Sequence, residues 1–267
     1  MGEALNNPAV QSALLPLLVA VLAAPAFAAV QSRWAALAIP LGFLAGYVAA
    51  VGVPPLPPVS STQKIPYLVV AAPVLVLLLD RGVWWRRASV LLWTVLALGW
   101  LSWPRLDADP LSVAAGMVAC LALFWLLEKR PNQDTAVCFL VAGLVFAGVA
   151  FLGSSASIAQ GAGSLSAAAG GLLLWCWPRD RWPSLAPGAL LGLVACFALL
   201  AQQALLYTRA SNAALALLAM IPLVPLLPLT FPAKDRPRRA FALLLTSLPL
   251  AAGAVAFAWY QAQGSSY

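Results

Sequence analysis

Ten mainly apolar runs follow one another along the chain, at 8–29, 34–53, 66–85, 89–104, 110–127, 135–153, 158–177, 185–207, 213–232 and 240–260. A helix crossing the hydrocarbon core of a bilayer needs about 20 such residues. In lipid every backbone polar group must be satisfied inside the segment or a closed barrel, and runs this long and this evenly apolar read as helices. The connections are short, and even the longest, PPLPPVSSTQKI at 54–65, has no room for a folded domain. Residues 1–267 are therefore expected to form a single integral membrane domain, an all-α polytopic transmembrane bundle of about ten helices with no soluble domain. Composition agrees: 63% of residues are hydrophobic and 9% charged, against roughly 25% charged in soluble domains. The third and fourth runs are the least regular, because Asp80 and Arg81 interrupt the apolar pattern there.

Charge gives the runs a direction. One alternating set of connections carries Arg33; Arg81, Arg86 and Arg87; Lys129 and Arg130; Arg179 and Arg181; and Lys234, Arg236, Arg238 and Arg239. The other set, with both tails, holds only Lys64, Arg105 and Arg209. Twelve cations against three is the asymmetry that the positive-inside rule reads as cytoplasmic for the richer set. The expected location is a bacterial inner membrane, multi-pass, with both termini periplasmic. The net charge of +7 is not a nucleic-acid signal, since the cations sit in short clusters between apolar runs.

VLAAPAFAAVQS at 21–32 carries an Ala-x-Ala pattern of the kind a signal peptidase cuts. The residues before the run, MGEALNN, hold Glu3 and no cation, and Arg33 follows the run. That order suits a retained first helix that starts outside. Trp34, Trp84, Trp85, Trp103, Trp175, Trp177, Trp182 and Trp259 fall near run ends, as membrane-interface anchors do. WPRL at 103–106 and WPRD at 177–180 each combine a Trp, a helix-ending Pro and a charge.

Three constellations stand out. In GSSASIAQGAGSLSAAAGG, 153–171, the small residues Ala159, Gly163, Ala167 and Gly171 recur every four positions, and Gly42 and Gly46 repeat the device in the second run. Such faces let helix backbones approach closely. They predict either tight packing inside the bundle or a seam for a partner. Second, Gln63, Lys64, Gln160, Ser164, Gln202, Gln203 and Tyr207 all fall toward the sparsely charged side, where together they would form a polar outer mouth. Interhelical hydrogen bonding is the alternative. Third, IPLVPLLPL at 221–229 places Pro222, Pro225 and Pro228 in the ninth run, a candidate helix break.

Asp107-x-Asp109 resembles a metal-holding pair, but Asp109 directly before Pro110 also reads as an N-cap followed by a first-turn proline. The chain has no histidine. Cys120, Cys138, Cys176 and Cys196 fall singly in four different runs and read as small buried hydrophobes. No acidic or basic residue sits at mid-span, where ion-coupled transporters and pumps usually need one. No catalytic residue, cofactor or metal is expected.

PPVSSTQKIPYLVVAA, GSSASIAQGAGSLSAAAGG and RRAFALLLTSLPLAAGAVAFAWYQ, taken together and in this order, resemble segments of a family of multi-spanning bacterial inner-membrane proteins with no established activity. The resemblance implies the polytopic architecture and supplies no functional residues. The leading functional expectation is a non-enzymatic integral membrane subunit, a scaffold or accessory that meets membrane lipids and partner membrane proteins or a second copy of itself. A transporter or flippase for a neutral or lipidic substrate is the alternative. An enzyme acting at the periplasmic face through Asp107 and Asp109 is the weakest of the three.

Overall fold

A computed structural model describes residues 7–79, 81–129, 132–153, 155–179, 185–227 and 236–264. Glu3, Asp80, Arg130, Asp180, Arg181, Trp182, Pro228 and Lys234, used above, lie outside the described residues. Helix accounts for 88% of the structure, with no strand among the described residues.

Among the described residues ten helices follow the ten apolar runs. They are α1 (Val10–Val30), α2 (Ser32–Val51), α3 (Ser61–Leu79), α4 (Val83–Ser102), α5 (Pro110–Glu128), α6 (Gln133–Leu152), α7 (Ala156–Arg179), α8 (Pro187–Tyr207), α9 (Asn212–Leu226) and α10 (Arg236–Gly264). Seven of them, all but α4, α7 and α9, are long and apolar enough to cross a membrane. The first turn of α1 is π-helical, and α2 opens with a 3-10 turn.

The largest departure from the sequence reading is at the third and fourth helices. The helix expected at 66–85 is Ser61–Leu79, and the one expected at 89–104 is Val83–Ser102. Two local causes account for the shift. Ser60 Oγ accepts from the Gln63 amide at 3.3 Å while Gln63 Oε1 accepts from the Ser60 amide at 3.3 Å, a capping box that starts α3 early. Gly82, at φ 138°, holds a conformation that side chains resist, so the chain turns before Trp84 rather than after Trp85. Trp84, Trp85, Arg86 and Arg87 therefore form the first turns of α4.

Helix α8 is the hub. Its residues from Gly188 to Leu200 are all buried, and it packs against α2, α3, α4, α5 and α7. Phe197 meets Phe139 and Phe146 of α6 edge-on, with ring centroids 5.7 and 5.8 Å apart, the geometry favoured by aromatic quadrupoles. Helix α7 lies between α1, α2 and α6, and α10 closes the outside of α6 and α9.

The bundle has two chemically distinct ends. At one, Arg86 pairs with Glu128 at 3.0 Å, Arg239 pairs with Asp134 at 2.7 Å, and the Ala186 amide donates to the Arg33 carbonyl at 2.9 Å. This basic end gathers the described members of the cation-rich connections. The opposite end carries Tyr47, Thr62, Lys64, Ser102, Gln202, Gln203 and Tyr207, joined as described next.

Candidate functional site: a polar layer at proline-freed carbonyls

A proline inside or just after a helix has no N–H to give the carbonyl four residues earlier. In lipid that carbonyl needs another donor. Three such positions are met here by side chains from a different helix. Pro66 frees the Thr62 carbonyl, and Tyr47 Oη of α2 donates to it at 2.7 Å. Pro104 follows α4 and frees the Trp100 carbonyl, and Lys64 Nζ of α3 donates to it at 2.8 Å. Pro25 frees the Val21 carbonyl, and Trp175 Nε1 of α7 donates to it at 2.8 Å. Each donor replaces a bond that the proline removed, and each ties two helices together.

Two of the three lie at the polar end, where further bonds extend the layer. Gln203 Nε2 donates to Thr62 Oγ1 at 2.6 Å, so one threonine receives α2 on its carbonyl and α8 on its hydroxyl. Gln202 Nε2 donates to Ser102 Oγ at 3.1 Å, and Tyr207 Oη donates to the Leu101 carbonyl at 3.2 Å. Lys64 also sits 5.1 Å from the Trp100 ring centroid, and Arg105 sits 5.6 Å from that of Tyr207. Cation–π attraction supplements the hydrogen bonds. Gln202 is 2% exposed, Gln203 5% and Lys64 9%, so these side chains are buried, while Thr62 and Tyr207 at the edge of the layer are half-buried. Individual interhelical bonds contribute about 0.6 kcal/mol; their combined effect is to hold the ends of α2, α3, α4 and α8 in register.

Gln202 Oε1 is buried without a partner. It faces the backbone of Gly116 in α5, so closely that a β-carbon there would collide with the amide. Whichever way the amide is turned, one end meets Ser102 and the other lies over Gly116, a contact open only to glycine.

The seven residues expected to form an outer mouth thus divide. Lys64, Gln202, Gln203 and Tyr207 come together in the layer. Gln63 is a cap for α3, where it also accepts from the Val59 amide at 2.9 Å. Ser164 donates to the Gln160 carbonyl one turn back in α7, at 2.9 Å, and lies against Gly46. Neither Ser164 nor Gln160 joins the layer through a described side-chain bond. Sequence reasoning missed Tyr47 and Ser102, and read Trp175 only as an interface anchor. The signal was available: a proline in a span marks the residue four positions earlier as a carbonyl in need of a donor.

The small-residue faces pack within the chain. A β-carbon at Gly42 would lie 2.6 Å from the Pro16 carbonyl oxygen and 2.9 Å from Ala168 Cβ; at Gly171, 2.7 Å from the Leu17 carbonyl oxygen and 2.8 Å from Ala20 Cβ. Gly46 abuts Pro16, and Gly163 faces Ser12. The stripe Ala159, Gly163, Ala167, Gly171 ends one turn later at Trp175, the residue that bonds Val21. These faces join α1, α2 and α7.

In the ninth run, α9 is α-helical over Asn212–Met220 and 3-10 over Ile221–Leu226, with Pro222 and Pro225 buried in the 3-10 part. At Asp109 the carboxylate accepts from the Ser112 amide at 3.1 Å and caps α5. Its hydrogen bonds with Ser112 hold that carboxyl below the usual range, so the cap is charged at neutral pH. Among the described residues no group of three or more His, Cys, Asp or Glu could hold a metal. The four cysteines are free and buried.

Compared with protein-family models, with curated proteins and with solved structures, the chain finds no match.

Proposed function

We propose that the chain crosses a bacterial inner membrane ten times and serves as a non-enzymatic scaffold or accessory subunit of a membrane assembly, with the basic end in the cytoplasm and both termini periplasmic. The three helices that fall short on length or apolarity are consistent with crossing. α4 owes its lower hydropathy to Arg86 and Arg87 in its first turns, while Leu91, Leu92, Val95 and Leu96 beyond them are exposed and apolar. α7 is lined by other helices, so its serines and small residues need not face lipid. α9 combines an α-helical and a 3-10 part, about 26 Å in all, close to the roughly 30 Å core.

One observation carries the scaffold reading: most hydrogen-bonding groups of the outer layer are spent on backbone carbonyls of neighbouring helices, two of them left open by prolines, and on each other. A carrier keeps such groups for its cargo. Here Lys64, Tyr47 and Trp175 fasten helices to one another at proline-freed carbonyls, which favours a rigid body over a conduit. Purification in mild detergent tests this. The expected result is a stoichiometric partner or a defined oligomer that survives crosslinking in the native membrane. A monomer that moves a neutral or lipidic solute in proteoliposomes would overturn it. The carrier reading draws on the spare oxygen of Gln202 and the 3-10 part of α9; it requires Gln202→Ala to abolish that transport.

A further inference from the structure

At the basic end, between the start of α4 and the end of α5, lies an open groove of about 780 Å³. Its walls change character over one helical turn on both sides. On α4 the apolar Leu91 gives way to Arg87, and on α5 Trp125 gives way to Lys129. Each step is about 6 Å along the helix axis, and both run in the same direction, from the middle of the bundle to its basic end. Arg86 and Glu128 also line the groove and neutralise each other at 3.0 Å, which leaves the exposed Arg87 and Lys129 to set its charge. Trp84, 79% exposed, stands at the rim. The cap of α4 is Gly82, which has no side chain to offer, so amides of the first turn are left pointing toward the same end.

We infer that this groove binds one anionic phospholipid, its phosphate between Arg87 and Lys129 and an acyl chain along Leu91 and Trp125. Charge complementarity selects this occupant. Two cations around an otherwise neutralised ion pair call for a negative headgroup, and the apolar wall directly beneath calls for a chain attached to it. A soluble anion would satisfy only the upper half, and an apolar protein helix only the lower. Basic pockets between helices on the cytoplasmic side are where such headgroups bind, and interfacial tryptophans mark the level at which they sit. The inference rests on the membrane-spanning reading but is independent of the scaffold role.

The test uses the full chain purified in a neutral maltoside detergent, with thermal unfolding and native mass spectrometry as readouts. Phosphatidylglycerol is expected to raise Tm by about 5 °C and to remain attached as a single adduct. Phosphatidylcholine and inorganic phosphate are expected to leave Tm unchanged. Arg87→Gln with Lys129→Gln should abolish both the shift and the adduct. Arg33→Gln with Arg209→Gln, which removes the same charge elsewhere, should keep them. Equal stabilisation by phosphatidylcholine, reproduction of the shift by inorganic phosphate, or survival of the shift in the Arg87 and Lys129 variant would each overturn the assignment. A chain that stays dispersed without detergent would overturn the membrane premise itself, an outcome visible before any lipid is added.

Discussion

The Tyr47 hydroxyl shows how much one polar atom can mean in this interior. It stands in for the amide hydrogen that Pro66 does not have. The same logic makes Lys64 tolerable although it is 9% exposed: the ammonium has a carbonyl that Pro104 vacated and an aromatic face beside it. This account separates from ordinary packing by a double-mutant cycle. Tyr47→Phe should cost about 1 kcal/mol in unfolding free energy, the usual worth of such a bond. In a Pro66→Ala background, where residue 66 can again donate to Thr62, the same change should cost close to nothing. Equal costs in both backgrounds, measured by denaturant unfolding in detergent, would show that the hydroxyl does not answer the proline. Much of this was legible beforehand, since each proline names its own orphan carbonyl. Which side chain would answer it was not, because Tyr47 and Trp175 reach their partners across 15 and 154 residues of chain.

At the scale of elements, glycine marks where helices touch. Gly42, Gly46 and Gly171 bring α1, α2 and α7 close enough for Cα atoms and carbonyls to meet, whereas the glycine at 148 in α6 has nothing within 4 Å of where a β-carbon would stand. Gly42→Val should therefore destabilise the protein by about 1–3 kcal/mol, the usual cost of overpacking. Gly148→Ala should be neutral or stabilising by up to about 1 kcal/mol through lower unfolded-chain entropy. Comparison of the two midpoints under one denaturant checks the contrast, and similar losses at both sites would contradict it. The four-residue spacing of small residues was visible in the sequence, and at Gly42, Gly46 and Gly171 the neighbouring helix comes close. The spacing did not say which helix that would be. The choice between an internal joint and an external seam depends on where α1 lies, and no local pattern in α7 records that. The limits of α3 and α4 were also open to sequence reasoning: Ser60-x-x-Gln63 is a capping box and Gly82 a stop, and apolar content alone placed the boundary several residues late.

For the molecule as a whole, the division into a basic and a polar end is the property with the widest consequences. It arises because successive helices run in opposite senses, so that every second connection returns to the same end. The ion pairs Arg86–Glu128 and Arg239–Asp134 hold one end, and the bonds around α8 hold the other. If the basic end is cytoplasmic, single cysteines at Arg33 and Lys129 in a chain whose four native cysteines are replaced should resist a membrane-impermeant maleimide in intact cells. Cysteines at Val53 and Arg209 should react. The opposite pattern would invert the orientation, and mixed labelling within one set of connections would refute ten crossings.

Hydrophobic run length was enough to read an all-helical chain with helices long and apolar enough for a bilayer, because lipid imposes its requirement on each segment separately: about one bilayer thickness of apolar side chains, with the backbone bonded internally. Those demands are local, so they are written locally. The pairing of Tyr47, Lys64 and Trp175 with carbonyls that distant prolines released, the enclosure of α8, and the use of the glycine faces inside the bundle were decided only by the tertiary arrangement. Each depends on which helices become neighbours, and in lipid that choice is made by shape and hydrogen bonding between whole surfaces rather than by the apolarity that every segment here shares.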